Sequence, residues 1–368
     1  MSESHQPIQS TDATDREFDG PIVRDPSAIK RIAVFHLNGV GDLLFSLPAL
    51  VAIRERFPSS RITSIIRRHL REPLEPLGLA DEILPRPRRG DIPAVLSFLR
   101  SLRRHRFDLA VLFSQSASAN IYALLSGTRI RVGFIDTIFP WLLSHPIPLR
   151  GISSTAKLLH LAEQLGAEPQ KRDYAGMLKV SDSQRQRANC VLDQAGVNGQ
   201  SFAVLSITQG PGAMPLYKTW PLDNFAAVGK HFLRKGLVPV VIGTATDVKQ
   251  TRLLTEKIGQ GAVSLAGKTR LDELIAIIQR AKLLVGIDSG PVHIAAALGV
   301  PVVALYGPTD PAVTGVRGDG SIIIRKEMPC SPCRKPTCEG RPCMTAITPE
   351  EVIAAAEKLI ESGAPGEQ

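Results

Sequence analysis

The chain is 368 residues long, 43% hydrophobic and 5% aromatic, with a formal net charge of +9. That length suffices for two ordinary domains with real cores, and the charge calls for an anionic partner such as a phosphorylated ligand, an acidic membrane surface or nucleic acid. Aromatic residues are too few, and too little interleaved with basic ones, for stacking on RNA, so nucleic acid is set aside. No run of 18 apolar residues occurs, which excludes a transmembrane helix. The polar stretch 1–27 lacks the apolar centre of a signal peptide. It is expected to be a disordered tail, and a cytoplasmic location follows by default.

In chain order, Arg31 to Leu37 (RIAVFHL) reads as a strand that breaks at Asn38-Gly39-Val40-Gly41-Asp42 into a helical pattern through Phe57. RITSIIR and FDLAVLF read as further strands, with the helical IPAVLSFLRSLRR between them. Residues 28–180 are therefore expected to form one doubly wound, Rossmann-like α/β domain with a parallel sheet. The polar segment 167–199 carries the interdomain connection and a helix near Ser181 to Ala195. Over 181–368 the alternation restarts: SFAVLSI, a Gly/Pro loop, a helix from Leu222 to Lys235, LVPVVIG, a helix, AVSLAG, a helix from Leu271 to Ala281, LLVGI, a helix and PVVALYG. A helix from Pro349 to Ser362 closes the chain. Two such domains facing each other leave a cleft at the carboxyl ends of their strands, where open α/β sheets bind ligands.

The stretch from Gly286 to Pro311 concentrates chemistry. Asp288 and Ser289 stand where a strand ends and a helix begins, so either can cap that helix. Gly290 admits close approach to the backbone, and Pro291 suits a first helical turn. The free amides and the helix dipole suit an anion such as a diphosphate. Asp-Ser-Gly-Pro-x-His (Asp288 to His293), Ala-Ala-Ala-Leu-Gly-x-Pro and Tyr-Gly-Pro-Thr-Asp-Pro, in this order, resemble glycosyltransferase family 9, the ADP-heptose:lipopolysaccharide heptosyltransferases and relatives. NGVGDLLFSLPAL (Asn38 to Leu50) and KTWPLDNF (Lys218 to Phe225) extend the resemblance across roughly Arg31 to Ile360.

The resemblance implies a GT-B fold and inverting transfer of a heptose or related sugar from a nucleotide diphosphate, ADP-heptose favoured, with no catalytic metal. It puts Asp42 at the general-base position, with Asn38, Gly39 and Gly41 on the acceptor side. Lys218 becomes a diphosphate clamp that steadies the leaving group. Thr208, Asp288, Ser289, Gly290, Pro291, Val292, His293 and Thr309 fall on the donor side, His293 as a hydrogen-bond donor and Thr309 as pocket wall or plain turn. Trp220 is expected to pack under the Lys218 loop. Asp247 stands where relatives often carry Glu near the nucleoside, which leaves the base open. Without the resemblance, Asp42 reads as a helix cap and Lys218 as a solvated charge.

An arginine-rich tract (Arg61, Arg67, Arg68, Arg71, Arg86, Arg88, Arg89, Arg100, Arg103, Arg104, Arg106) reads either as solvated faces or as a surface steering an acidic, lipid-linked acceptor at the inner face of the cytoplasmic membrane. Cys330-x2-Cys333-x4-Cys338-x4-Cys343 suits a structural Zn²⁺, with iron as alternative. The acceptor is expected to be a lipopolysaccharide core, a protein or another cell-surface glycan. A GT-B nucleotide-sugar epimerase and a non-catalytic nucleotide-sugar-binding protein are the competing readings.

Overall fold

A computed structural model describes residues 20–36, 39–88, 90–208, 218–333, 338 and 340–362. The first half contains β1 (Arg31–Phe35), α1 (Val40–Arg56), β2 (Arg61–Ile66), α2 (Arg71–Leu74), β3 (Glu82–Pro85), α3 (Ile92–His105), β4 (Leu109–Leu112), α4 (Ala117–Leu125), β5 (Ile130–Phe134), β6 (His145–Ile147) and α5 (Ser154–Gln164). The second contains α6 (Asp182–Gln194), β7 (Phe202–Ser206), α7 (Leu222–Arg234), β8 (Val238–Ile242), α8 (Val248–Ile258), β9 (Val263–Ser264), α9 (Leu271–Arg280), β10 (Leu283–Ile287), α10 (Gly290–Leu298), β11 (Val302–Tyr306), α11 (Pro311–Thr314), β12 (Ser321–Arg325), α12 (Pro342–Thr345) and α13 (Pro349–Glu361).

Each half folds as a six-stranded sheet, β3-β2-β1-β4-β5-β6 and β12-β11-β10-β7-β8-β9. Every strand pair is parallel. Counted from its own first strand, each sheet has the doubly wound order 3-2-1-4-5-6, with the switch point between β1 and β4 or between β7 and β10. The reason lies in the strands. VPVVI, LLVGI and VVALY are apolar at almost every position and buried along their whole length, as strands covered on both faces must be.

Helices α1 and α5 pack together over one face of the first sheet, and α3 and α4 cover the other through Phe98, Leu102, Ala119 and Ala123. In the second half, α7 and α13 cover one face and α9 and α10 the other. Helix α1 also packs on α10, so one apolar core runs from Ile32 and Leu47 through to Ile294 and Val302. The starts of α1 and α10 are thereby brought together.

The expected tail ends earlier than residue 27. Val23 is buried, the Ile22 amide donates to the Gln164 carbonyl at 2.9 Å, and Asp25 caps a short 3₁₀ turn at Pro26–Ala28. One buried valine and one cap suffice to hold this segment against the end of α5; residues 1–19 lie outside the described residues. Among the described residues, no helix is long and apolar enough to cross a membrane.

Candidate active site

Two strand-to-helix turns meet at the junction of the halves. On the first, Gly39 is the N-cap of α1 and Asp42 is its third residue, so Asp42 is not itself the cap. The Gly39 amide donates to Asp42 Oδ2 at 3.2 Å. A Cβ at Gly39 would stand 2.8 Å from that oxygen, so the carboxylate can fold back only over a glycine. Burial pushes the Asp42 carboxyl above the ordinary aspartate range, and the Gly39 amide and nearby His293 offset part of that. Just upstream, His36 is fully buried between Ser46 Oγ (3.3 Å) and Ser64 Oγ (3.1 Å), and burial drives its pKa down to about 3. This neutral imidazole anchors the end of β1. Asn38 and Arg89 lie outside the described residues, as does the loop from Gln209 to Pro215.

On the second turn, Asp288 is a hub, its side chain only 6% exposed. Its Oδ2 accepts from Lys218 Nζ and from Thr309 Oγ1, each at 2.7 Å, and its Oδ1 lies 3.4 Å from His293 Nε2. Burial alone would raise the Asp288 carboxyl. The bond from His293 and the Lys218 ammonium outweigh it and hold the group well below the usual carboxylate range. His293 Nδ1 pairs with the Tyr174 hydroxyl at 2.8 Å. A carboxylate only accepts, so Nε2 carries a hydrogen toward Asp288, and Nδ1 shares the second hydrogen bond with the Tyr174 hydroxyl. Lys218 is thus an ion-paired, 17% exposed side chain, not a solvated charge.

Neither Asp288 nor Ser289 caps α10. Ser289 occupies the N-cap position, but its hydroxyl donates back to the Ile287 carbonyl at 3.1 Å, and Asp288 is committed to Lys218 and Thr309. The first turn, Gly290-Pro291-Val292, therefore has no side-chain cap from Ser289. A Cβ at Gly41 would stand 3.3 Å from His293 Cδ2, and one at Gly290 would stand 3.9 Å from Val40 Cβ. Asp42 and the Asp288 turn thus abut, with glycines at the point of contact.

The other expected site residues divide. Thr309 joins the Asp288 hub. Thr208 does not: its hydroxyl donates to Asp247 Oδ2 at 3.1 Å, and that oxygen also accepts from the Thr244 amide (2.7 Å) and hydroxyl (2.6 Å). Asp247 therefore ties the ends of β7 and β8 together. Trp220 is buried, donates to the Ile347 carbonyl at 2.9 Å and packs edge-on against Phe225. Tyr174 escaped sequence reasoning. Its one signal is an aromatic residue alone in a polar connecting segment, and its partner is 119 residues away.

None of the four clustered cysteines is in a disulfide among the described residues. Cys343 is buried beneath Gly307, where an added Cβ would meet its Sγ at 3.0 Å, and the Cys333 amide donates to the Pro308 carbonyl at 2.9 Å. Burial raises the Cys343 thiol, and Cys333, Cys330 and Cys338 push it further. The loop therefore backs onto the turn bearing Thr309, and Arg341 donates to Thr219, next to Lys218. Among the described residues, no three His, Cys, Asp or Glu side chains converge as a metal-ligand set.

Two doubly wound parallel sheets of one topology, meeting with their strand-end turns face to face, define a GT-B glycosyltransferase fold. The Escherichia coli ADP-heptose lps heptosyltransferase II superposes with a TM-score of 0.74 at 23% identity over 90% of this chain and 99% of its own. A glycosyl transferase family 9 structure from Veillonella parvula gives 0.78 at 26% identity, covering 90% and 97% of the two chains. Lipopolysaccharide heptosyltransferase 3 of E. coli K12 is 25% identical over 342 residues, 88% of this chain and 96% of its own. The family model for glycosyltransferase family 9 (heptosyltransferase) matches residues 95–343. The chain belongs to glycosyltransferase family 9.

Proposed function

We propose that this glycosyltransferase moves a heptose or related sugar from ADP-heptose to a hydroxyl of a lipopolysaccharide core or other cell-surface glycan, in one inverting displacement. The observation that carries the reading is the juxtaposition of a half-buried Asp42, its pKa raised by desolvation, with the start of α10 and its Lys218–Asp288–His293 cluster. Asp42 takes the acceptor proton as the hydroxyl oxygen forms its bond to the anomeric carbon, and the bond from that carbon to the diphosphate oxygen breaks on the opposite face. The leaving ADP gains negative charge. Lys218 and the first-turn amides of α10 stand where that charge is stabilised. No metal is required for this sequence of events. The donor and acceptor identities draw their support from the relatives named as lipopolysaccharide and ADP-heptose heptosyltransferases.

Asp288 holds Lys218, His293 and Thr309 in register for the donor. We read the four-cysteine loop as a buttress behind this wall, acting through Arg341–Thr219 and Trp220–Ile347; a Zn²⁺ or iron ion there is structural. Incubation with a panel of nucleotide sugars and a core-oligosaccharide acceptor tests the proposal. ADP-heptose is expected to give ADP and a product of inverted anomeric configuration by NMR. Preference for a uridine-linked sugar, or retention of configuration, overturns it.

A further inference from the structure

Six of the ten exposed large hydrophobic side chains among the described residues fall on one face of the first half. Ile92 (68% exposed) and Leu96 stand one turn apart on α3, Ile121 and Leu124 lie on α4, and Ile138 (68%) and Trp141 (72%) project from the loop after β5. The face is continuous. Phe98 packs edge-on against Tyr122, joining α3 to α4. Arg86 donates to Ser118 Oγ at 2.8 Å, tying the segment before α3 to the start of α4. Asn120 Nδ2 donates to Thr137 Oγ1 (3.0 Å) and to the Phe139 carbonyl (3.2 Å), pinning the Trp141 loop to α4. Soluble surfaces rarely gather so much apolar area without a partner.

The charges around it say which partner. Beyond Leu96, α3 continues its exposed side with Arg100, Arg103 and Arg104, and Arg68 and Arg88 are exposed just after β2 and β3. Between residues 86 and 152 the acidic side chains are Asp91, Asp108 and Asp136. Asp91 caps α3, accepting from the Ala94 amide, Asp108 binds the Lys30 and Arg31 amides at the far end of the strands, and Asp136 is exposed in the Trp141 loop, outnumbered by the arginines of α3 and its surroundings. Apolar tips set beside arginines match a bilayer with anionic headgroups, where Trp sits at the headgroup level and arginine gains from the surface potential. A second copy would set one arginine-rich rim against another, so self-association is disfavoured.

Ile92, Ile138 and Trp141 follow the carboxyl ends of β3 and β5, the sheet edge on which Asp42 follows β1. We propose that this face docks the enzyme on an anionic membrane, with Trp141, Ile138, Ile92 and Leu96 entering the interface and the arginines gripping headgroups, so that the Asp42 edge opens at the lipid surface. The inference deepens the proposed function by placing its acceptor in a membrane, yet vesicle binding needs neither donor nor acceptor and can fail or succeed by itself.

The test is flotation of the full chain with phosphatidylglycerol/phosphatidylethanolamine vesicles, set against phosphatidylcholine vesicles. Tryptophan emission is read in parallel, because Trp220 is buried and a blue shift reports Trp141. Binding to the anionic vesicles with a blue shift that Trp141→Phe removes is expected. The triple variant I92S/L96S/W141S should bind at least about tenfold more weakly, while its melting temperature and ADP affinity stay those of the parent. Failure to float, flotation with no blue shift, equal binding by the triple variant, or a parent dimer that the triple variant converts to monomer would each overturn the proposal.

Discussion

Asp42 follows the first strand of its half and Asp288 the fourth strand of the other, so the two carboxylates stand on opposite sides of matching switch points. Each follows the carboxyl end of a strand at its sheet's switch point and stands at the start of the next helix. Their surroundings push them in opposite directions. Asp42 is half-buried and accepts from one backbone amide, and desolvation raises its pKa. Asp288 is buried more completely, yet His293, Lys218 and Thr309 reach its oxygens and hold it ionised. Identical side chains in neighbouring turns are thus pushed in opposite directions, because one lacks the ammonium that the other has. Burial by itself does not assign a carboxylate its job; what donates to it does.

Asp42→Asn breaks the acceptor side of that contrast. Turnover is expected to fall roughly 10²–10⁴-fold, the usual contribution of a general base. Its stability should move opposite to that of Asp288→Asn. A raised folded pKa means that ionised Asp42 costs folding free energy above that pKa, so at neutral pH the amide should hold or raise the melting temperature. A depressed folded pKa means that Asp288 contributes stability above its unfolded pKa and loses it only as pH falls through the folded value, so Asp288→Asn should lower the melting temperature at neutral pH. Thermal melts of the two variants settle the sign; a drop in both removes the contrast.

Lys218→Ala leaves the buried Asp288 carboxylate without its ammonium partner. Breaking such a pair costs about 3–5 kcal/mol, so loss of stability is expected together with weaker ADP binding. The double variant Lys218→Ala/Asp288→Asn should regain much of the stability without regaining ADP affinity, read by urea unfolding and calorimetry. Equal affinity in the parent and the double variant would falsify the clamp role.

A smaller effect sharpens the Asp42 side. Activity needs the ionised carboxylate, so kcat/KM should rise with pH along an acid limb lying above the ordinary aspartate range. His293 lowers the Asp42 pKa, so His293→Asn should move that limb to higher pH. An unmoved limb would detach Asp42 from His293. Smallest is Tyr174→Phe, which removes one hydrogen bond to His293 Nδ1 and should cost about 0.5–1.5 kcal/mol of stability by denaturant unfolding. Metal analysis of protein purified without chelator reads the cysteine loop: one Zn²⁺ or iron per chain would mean that the loop closes on a structural ion, and four titratable thiols in metal-free folded protein would remove the staple.

Strands β1, β2, β4, β7, β8, β9, β10 and β11 were legible as short apolar runs, whereas β3, β5, β6 and β12, short or only half-buried along much of their length, were not. Asp42, Lys218, Asp288, His293 and Thr309 were legible as residues but not as a network. The Lys218–Asp288 pair exists because β7 and β10 are neighbours, a fact of topology 70 residues apart in sequence. Ser289 shows the limit of a local rule. It sits at the N-cap position, but its hydroxyl turns back to Ile287, a choice made by a backbone geometry no residue type announces. Tyr174 was illegible for the same reason as the ion pair: only the shared core of the two halves brings it to His293.

The central claim is the division of labour between the two turns, proton transfer at one and donor binding at the other. Titration calorimetry of ADP into Asp42→Asn protein tests it most directly, because that variant removes basicity while its amide can still accept the Gly39 bond. The expected result is a Kd within a few-fold of the parent's in a protein that has lost nearly all turnover. A Kd weakened in step with the lost turnover would contradict the account and make Asp42 part of the donor site.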